Sequence, residues 1–457
     1  WIWARIPAVT TDAKQLFETS IEQVAAGQVR KALATLLDAL VIDPKHHESI
    51  EAAGRICRML GAPEDAALFE QLAEAPNDPE ALFCLGHRLV AQERPDAGSV
   101  LLLRSLKALP PGTESSTVRR ELAFARFLER RFGDCLSTLS PLANDPELSE
   151  TESLDVLLLQ AEASLCAGRR ELSEQFLASA EELGSDDRQR QHLDALHALI
   201  GRASHWPESL TDLGLREWHF IQHGGVLLKT AGGYFEDGSM AGRFEVLDLR
   251  LDMVAFLLQR MAHLLNSRGL LPEVIISASP LAEPLAQALG RYWGLPVLNE
   301  MVERAGRDAL LVATNAAEFT PVAAGLVHHR AELRLFALNL DWSQDAIVCP
   351  ELVGVLARRV FLPWETRYTV EEGQSEMKET AADPRSAQEI AADLVTAMGA
   401  LPDDDGKARG EFESFYAPLS SGLVLGNEHA HPLRRQFTHV SPAWTPMRRP
   451  GLAQSEP

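Results

Sequence analysis

Along residues 12–203 apolar positions recur at helical spacing, segment after segment, and small residues, glycines and prolines break the run at near-regular intervals. The first unit is read over 12–44. Ser20 sits in the middle of a first helix that Gly27 ends. Ala32, Leu36 and Ala39 line one face of a second helix, which Asp43-Pro44 stops. The pattern returns with Gly54, Gly61, Ala66 and Ala73, ending near Asp78-Pro79, although Glu70 takes the large apolar position. Three further units carry Leu85-Gly86, Ala97, Leu102 and Pro110; Ala123, Phe132, Cys135, Leu139 and Asp145-Pro146; and Ala161, Gly168, Leu177 and Ala180. Steps between Ser20, Gly54, Gly86, Ala123 and Ala161 are 32 to 38 residues. Small side chains at these points let paired helices cross closely, where larger ones would overpack the contact. A last helix over 187–203 is expected to cap the stack, since a solenoid needs a more polar end.

Near His205-Trp206-Pro207 the texture changes. Residues 216–240 hold Gly224, Gly225, Gly232, Gly233 and Gly238 beside Trp218, His219, His223 and Tyr234, a density that ends the repeat. Val226 to Lys229 reads as a short strand between glycine turns. Residues 248–268 read as a long helix with Leu251, Val254, Leu258, Met261 and Leu265 on one face. Strands and helices then alternate: strand 273–277, helix 280–293, strand 295–298, strand 309–314, helix 321–329 and strand 333–340, with one more short strand at 346–349. Such alternation predicts a parallel sheet with right-handed crossovers. A helix over 384–398, with Asp383 as its cap, interrupts an acidic, Pro-containing segment, and beyond Pro402 the chain reads as tail.

The order of small, Gly, Ala, large apolar, Ala and Pro positions resembles the tetratricopeptide repeat (TPR). That resemblance implies an all-α solenoid of hairpins over 1–203, whose concave groove holds a partner protein or peptide. The segment EVIISASPLAEPLAQALGRYWGLPVL resembles the first strand, helix and second strand of the phosphoribosyltransferase fold. ALLVATNAAEFTPVAAGLVHHRAELRLFALNL lies where that family has a strand, its phosphate loop, a helix and the next strand. This second resemblance implies a three-layer α/β domain with a mostly parallel sheet over 204–364, followed by an acidic, Pro-rich and partly disordered segment over 365–457. Active members of that family carry two acidic residues after the third of these strands, where this chain has Thr314-Asn315. They also have a Thr/Gly-rich phosphate turn, where this chain has Ala317-Glu318-Phe319-Thr320-Pro321. Without glycine, and with Glu318 repelling phosphate, the domain is expected to be an eroded, non-catalytic relative.

Open parallel sheets bind ligands outside the carboxyl ends of their strands. Ser279, Thr314, Asn315, Glu318 and Thr320 are therefore the candidate ligand-binding residues. Ser279 also suits a helix N-cap, with Pro280 at the first helical position. No G-x-S-x-G elbow surrounds it. His219 and His223 have a metal-like spacing only if helical, and no third ligand accompanies them. His328-His329 suit a helix C-terminus. Asp403-Asp404-Asp405 lacks the spacing of a calcium loop. No metal and no cofactor is expected.

Composition narrows this picture. The 457 residues predict two or three domains, and an apolar fraction of 46% can build ordinary cores. A formal charge of −22 argues against a nucleic-acid binder. Residues 1–200 hold 32 acids and 20 bases. Five cysteines without a CxxC pair fit a reducing, cytoplasmic setting better than a disulfide framework or a zinc site. No apolar run predicts a membrane span. The start, Trp1-Ile2-Trp3-Ala4-Arg5, predicts no secretory leader, and without Met it reads as a fragment or processed form. The expected function is a scaffold that grips a partner through its TPR-like surface, or docks that surface on its own α/β domain. The alternative is a nucleotide- or sugar-phosphate-binding enzyme, a glycosyl or phosphoribosyl transferase, regulated by the repeats.

Overall fold

The fold is described from a computed structural model, covering residues 12–111, 113, 115–143, 145–206, 210–211, 213–229, 242–298, 306–322, 333–342, 348–370, 377–401 and 415–416. Several expectations lie outside these residues. They are the leader region at Trp1-Ile2-Trp3-Ala4-Arg5, the turns at Gly232-Gly233 and Gly238, most of the helix over 321–329 with His328-His329, and the tail at Asp403-Asp404-Asp405. Of the short strand expected at 346–349, residues 346 and 347 are outside them, and Val348 and Cys349 belong to no strand. The described residues form two compact units, divided between Leu196 and His197. No described helix is long and apolar enough to cross a membrane.

In the first unit five hairpins follow one another: α1 (Ala13–Ala25) with α2 (Val29–Ile42), α3 (His47–Met59) with α4 (Pro63–Glu74), and α5 (Pro79–Ala91) with α6 (Pro95–Ala108). The series continues with α7 (Ser116–Leu128) and α8 (Phe132–Leu139), then α9 (Glu150–Cys166) and α10 (Arg170–Glu181). Helix α11 (Asp187–Ala203) follows, and the division between the units falls within it. Each hairpin's second helix packs on the first helix of the next, the TPR-like stacking that buries faces no hairpin can bury alone. Local chemistry starts the helices. Asp12 accepts from the Gln15 N–H at 2.7 Å, and Pro63 and Pro95 occupy first helical turns. Pro79 also opens a helix, with Asp78 capping the Ala81 N–H at 2.9 Å, so Asp78-Pro79 begins the third hairpin and does not end the second.

A second register confirms the repeat. Left-handed residues turn every hairpin: Gly27, Gly61, Glu93, Arg130 and Gly168. Each lies seven residues beyond its small partner Ser20, Gly54, Gly86, Ala123 or Ala161. Glycine carries this conformation without steric cost, whereas Glu93 (φ 61°) and Arg130 (φ 62°) carry it under strain. Of the crossings marked by glycine, that of the third hairpin is tighter than that at Gly54. A Cβ on Gly86 would lie 2.8 Å from Leu102 Cγ, and one on Gly98 would lie 2.6 Å from Val90 Cγ2 and 2.8 Å from the Gly86 carbonyl oxygen.

The stacking is not purely nearest-neighbour. Helix α6 also packs against α2. The Arg94 guanidinium pairs with Asp38 at 2.9 Å, and that of Arg104 donates to the carbonyl of Pro44 and, at 2.5 Å, to that of Pro76. One apolar cluster accordingly runs from Ala32, Leu36 and Leu40 through Ile50 and Phe69 to Leu101.

In the second unit α12 (Leu215–His223) precedes β1 (Val226–Leu227), β2 (Arg243–Asp248) and α13 (Leu251–Ser267). Then come β3 (Val274–Ser277), a 3-10 turn (Pro280–Ala282), α14 (Glu283–Trp293), β4 (Val297–Leu298), β5 (Ala309–Asn315), a 3-10 segment (Ala316–Val322) and β6 (Leu333–Leu340). The described chain closes with β7 (Leu352–Phe361), the antiparallel pair β8 (Arg367–Val370) and β9 (Met377–Thr380), and α15 (Ala387–Ala400). The sheet runs β1-β7-β6-β5-β3-β4, with β2 following β1 along the same edge of β7, and every pair in it is parallel. Residues 309–313 of β5 are buried on both faces, as parallel strands require. One core joins Val254, Leu258 and Met261 of α13, Leu285 and Leu289 of α14, and Ile390 and Leu394 of α15 to Ile275, Leu310, Val312 and Phe336 of the sheet.

Four expectations change here. Residue 248 ends a strand, and the helix starts at Leu251. The glycine-rich stretch contains α12. Helix α15 is capped by Ser386 and Glu389 in a reciprocal box, while Asp383 pairs with Arg385 at 2.7 Å. Of the segment expected from 365 onward, the described α15 and Tyr416 pack into the core of the second unit, and the Tyr416 hydroxyl accepts from the Leu227 N–H at 3.0 Å.

Two substitutions test the repeat geometry. Gly98→Ala is expected to lower stability by about 1–3 kcal/mol through overpacking. In contrast, Gly133→Ala, where a Cβ meets nothing within 4 Å, should raise it by roughly 0.4–1 kcal/mol. Equal effects in denaturant melts contradict the close crossing. Glu93→Gly should relieve the left-handed turn and raise stability by about 1 kcal/mol; a loss refutes the strain.

Candidate functional site

The second unit has a polar cluster where two loops meet. Taking β3 as the first strand, the sheet core reads second-first-third-fourth-fifth along β4-β3-β5-β6-β7. The chain's direction of winding reverses between β3 and β5, and crevices at such points sit outside the carboxyl ends of the strands. Strand β3 ends at Ser277, leading to Ser279; β5 ends at Thr314 and Asn315. These are four of the expected positions once Glu318 is added, and the structure brings them together. Thr320 is exposed and stands outside the cluster.

The Glu318 carboxylate is the centre. Its Oε2 accepts from the Ser279 hydroxyl at 2.6 Å and, at a longer 3.4 Å, from the Thr314 N–H. Its Oε1 accepts from the Asn315 N–H at 3.0 Å and from the Thr314 hydroxyl. Asn315 Oδ1 in turn accepts from the Ala317 N–H at 2.9 Å, and the Ser277 hydroxyl donates to the Ser279 carbonyl at 2.6 Å. Ser279 also caps the turn at Pro280, accepting from the Ala282 N–H at 3.3 Å. Among the described residues no Lys, Arg or His pairs with Glu318; neutral donors hold the charge. Nearby, Trp364 Nε1 donates to the Leu281 carbonyl at 3.0 Å and covers part of the loop after β3.

The other chemically suggestive residues resolve differently. His219 and His223 lie on α12, buried, with ring centroids 5.1 Å apart. A Cβ on Gly225 would lie 3.1 Å from His219 Nε2 and 3.0 Å from the Glu351 carbonyl oxygen, so this glycine lets the chain pass close to the ring. Among the described residues no group of three or more His, Cys, Asp or Glu is placed to hold a metal. The five cysteines are unbonded. Burial, with Glu162 nearby, pushes the Cys135 thiol up to about 12 and holds Cys166 well above its usual range; burial and Asp65 push Cys57 up to about 11. None of these three is a thiolate nucleophile at neutral pH.

In the first unit the notable surface is apolar. Its exposed large hydrophobic residues, among those described, are Ile21 on α1, Met59 and Leu60 at the end of α3, and Phe124 and Leu128 on α7. All lie on or cap the first helices of hairpins, and none lies on a second helix. Phe124 and Leu128 are four apart and share a face of α7. Sequence periodicity identified the buried faces but gave no means of singling out these residues.

No family model matches the chain, and no curated protein does. Among solved structures, it is similar to PilF of Pseudomonas aeruginosa, at 16% identity over 42% of this chain and 84% of that one, with a TM-score of 0.26. It is similar to YrrB, described as a TPR protein with an unusual peptide-binding site, at 18% identity over 41% and 93% and a TM-score of 0.26. A thermophilic TPR protein of Thermus thermophilus matches at 16% identity over 40% and 98%, with a TM-score of 0.24. At such scores the helical-repeat assignment rests on the stacking itself and not on these likenesses.

Thiol chemistry checks the electrostatics. Native protein at pH 8 should react with a disulfide reagent only at the half-buried Cys84, and slowly. That thiol is raised by burial and by Glu80 and Asp78, so its rate should climb as pH rises through 9. All five should react once the chain is unfolded. Rapid native labelling of Cys135 contradicts its burial.

Proposed function

We propose that this protein is an interaction scaffold. Its helical-repeat unit grips a partner protein or peptide through the first-helix surface, and the sheet-bearing unit serves as a non-catalytic body. The observation that carries this reading is that, among the described residues of the first unit, the exposed large apolar ones are restricted to the first helices of its hairpins. Apolar anchors gathered on one set of helices are what a binding surface needs. The acidic excess of residues 1–200 favours a partner with apolar anchors flanked by Lys or Arg. For the second unit, the reading is of a phosphoribosyltransferase-like core whose phosphate turn has been replaced. The replacement is supported by Thr314-Asn315 where acids would stand and by a carboxylate, Glu318, within the turn.

The test is selection from a displayed peptide library against the full chain, followed by affinity measurement with purified peptides. Phe124→Glu combined with Leu128→Glu should weaken binding roughly 30-fold or more, the scale of losing a hot spot, with an unchanged circular dichroism spectrum and melting temperature. Peptides that bind the doubly substituted chain as well as the parent would overturn the assignment.

A further inference from the structure

We propose that Glu318 is a chain-borne anion filling an oxyanion cradle at the winding reversal of the sheet, so that the cradle is closed to small anions until this side chain leaves it. This inference concerns the second unit alone and is independent of the partner surface on the repeats.

Three observations carry it. First, both carboxylate oxygens are bound twice: Oε2 by the Ser279 hydroxyl and the Thr314 N–H, Oε1 by the Asn315 N–H and the Thr314 hydroxyl. Second, the donors come from two separate stretches, the loop after β3 and the last two residues of β5, and Ser279 lies 39 residues from Glu318 in sequence. A local capping role accounts for the Asn315 N–H, since Glu318 stands three residues beyond Asn315 at the start of the 3-10 segment. It does not account for Ser279, which belongs to the other stretch. Third, the cluster lies between the carboxyl ends of β3 and β5, the place where an open parallel sheet of this strand order receives a ligand. Backbone N–H groups and hydroxyls converging on one point are the equipment of an anion site, and charge-assisted bonds of this kind are the strong ones.

An exogenous anion and the Glu318 carboxylate would satisfy the same donors, so they exclude each other. The cradle's ligand class is a small oxyanion with two or more equivalent oxygens, such as a carboxylate or a phosphate group. Truncating Glu318 leaves the donors of Ser279, Thr314 and Asn315 unmatched, which costs stability. Supplying the anion from solution restores it by mass action.

The experiment is chemical rescue in the full chain. Melting temperatures of the parent, Glu318→Ala and Glu318→Gln are followed while acetate or inorganic phosphate is titrated at constant ionic strength, with chloride as control. Glu318→Ala is expected to melt below the parent and to regain stability with acetate or phosphate but not with chloride. Direct calorimetry should show it binding at least about tenfold more tightly than the parent. Rescue by acetate alone defines a carboxylate cradle, and rescue by both defines a general oxyanion cradle; either supports the proposal. Adding Ser279→Ala should abolish the rescue. Should Glu318→Ala not fold, Glu318→Gln, which keeps the side chain's size, carries the calorimetry and should also bind anion more tightly than the parent. Parent and folded Glu318 single variants that bind anions equally, or a folded Glu318→Ala that acetate and phosphate leave unchanged, would overturn it.

Discussion

Neither a helical hairpin nor a parallel strand can hide its apolar surface by itself, and that shared constraint organises both units. In the first, hairpins solve it by stacking, which demands that helices approach closely at fixed points. Ser20, Gly54, Gly86, Ala123 and Ala161 mark those points, and the left-handed residue seven positions later turns the chain back each time. In the second, β5 and β6 bury both faces, so helices distant in sequence must converge. Helix α15 reaches α13, and its terminal Met398 carbonyl accepts from Gln259 Nε2 at 2.9 Å. The same need draws Tyr416 into the core beside Leu227.

How much of this was legible follows from where the information lies. Helical period and small-residue spacing are local, so the hairpins and even the bounds of α11 could be read directly. Strands β3, β5 and β6, short runs dominated by apolar residues, were equally visible. Strand β7 was not: Pro350-Glu351 precedes it, Gly354 interrupts it and Arg358-Arg359 charge its later half, so its six buried residues 352–357 did not stand out. Strand β2 was hidden because its buried Phe244 and Leu247 lie three apart, a helical spacing. The turns at Glu93 and Arg130 lack the glycine that would announce them. Tyr416 was beyond reach because its partner Leu227 is 189 residues away, a contact no local pattern encodes.

The candidate site shows the same division. The rule that ligands meet parallel sheets at strand ends picked out Ser279, Thr314 and Asn315, and they do converge. Glu318 is also among the candidate residues read from the sequence, although there its charge counts against a phosphate ligand. In the structure it is the group on which the other donors converge. Residue identity gave its sign; only the fold could supply the pairing of loops that makes that charge welcome. Thr320, chosen by proximity along the chain, is exposed because the 3-10 segment has by then carried the backbone past the cluster.

The contact between α6 and α2 has a consequence for how such an array can change. A ladder coupled only rung to rung grows or shrinks by duplicating or deleting one rung anywhere. Here Arg94 and Arg104 bolt the third rung to the first. A duplicated hairpin inserted between them would carry the bolted partners out of reach. Lengthening is therefore closed to this scaffold between its first and third hairpins, and open to it beyond the third.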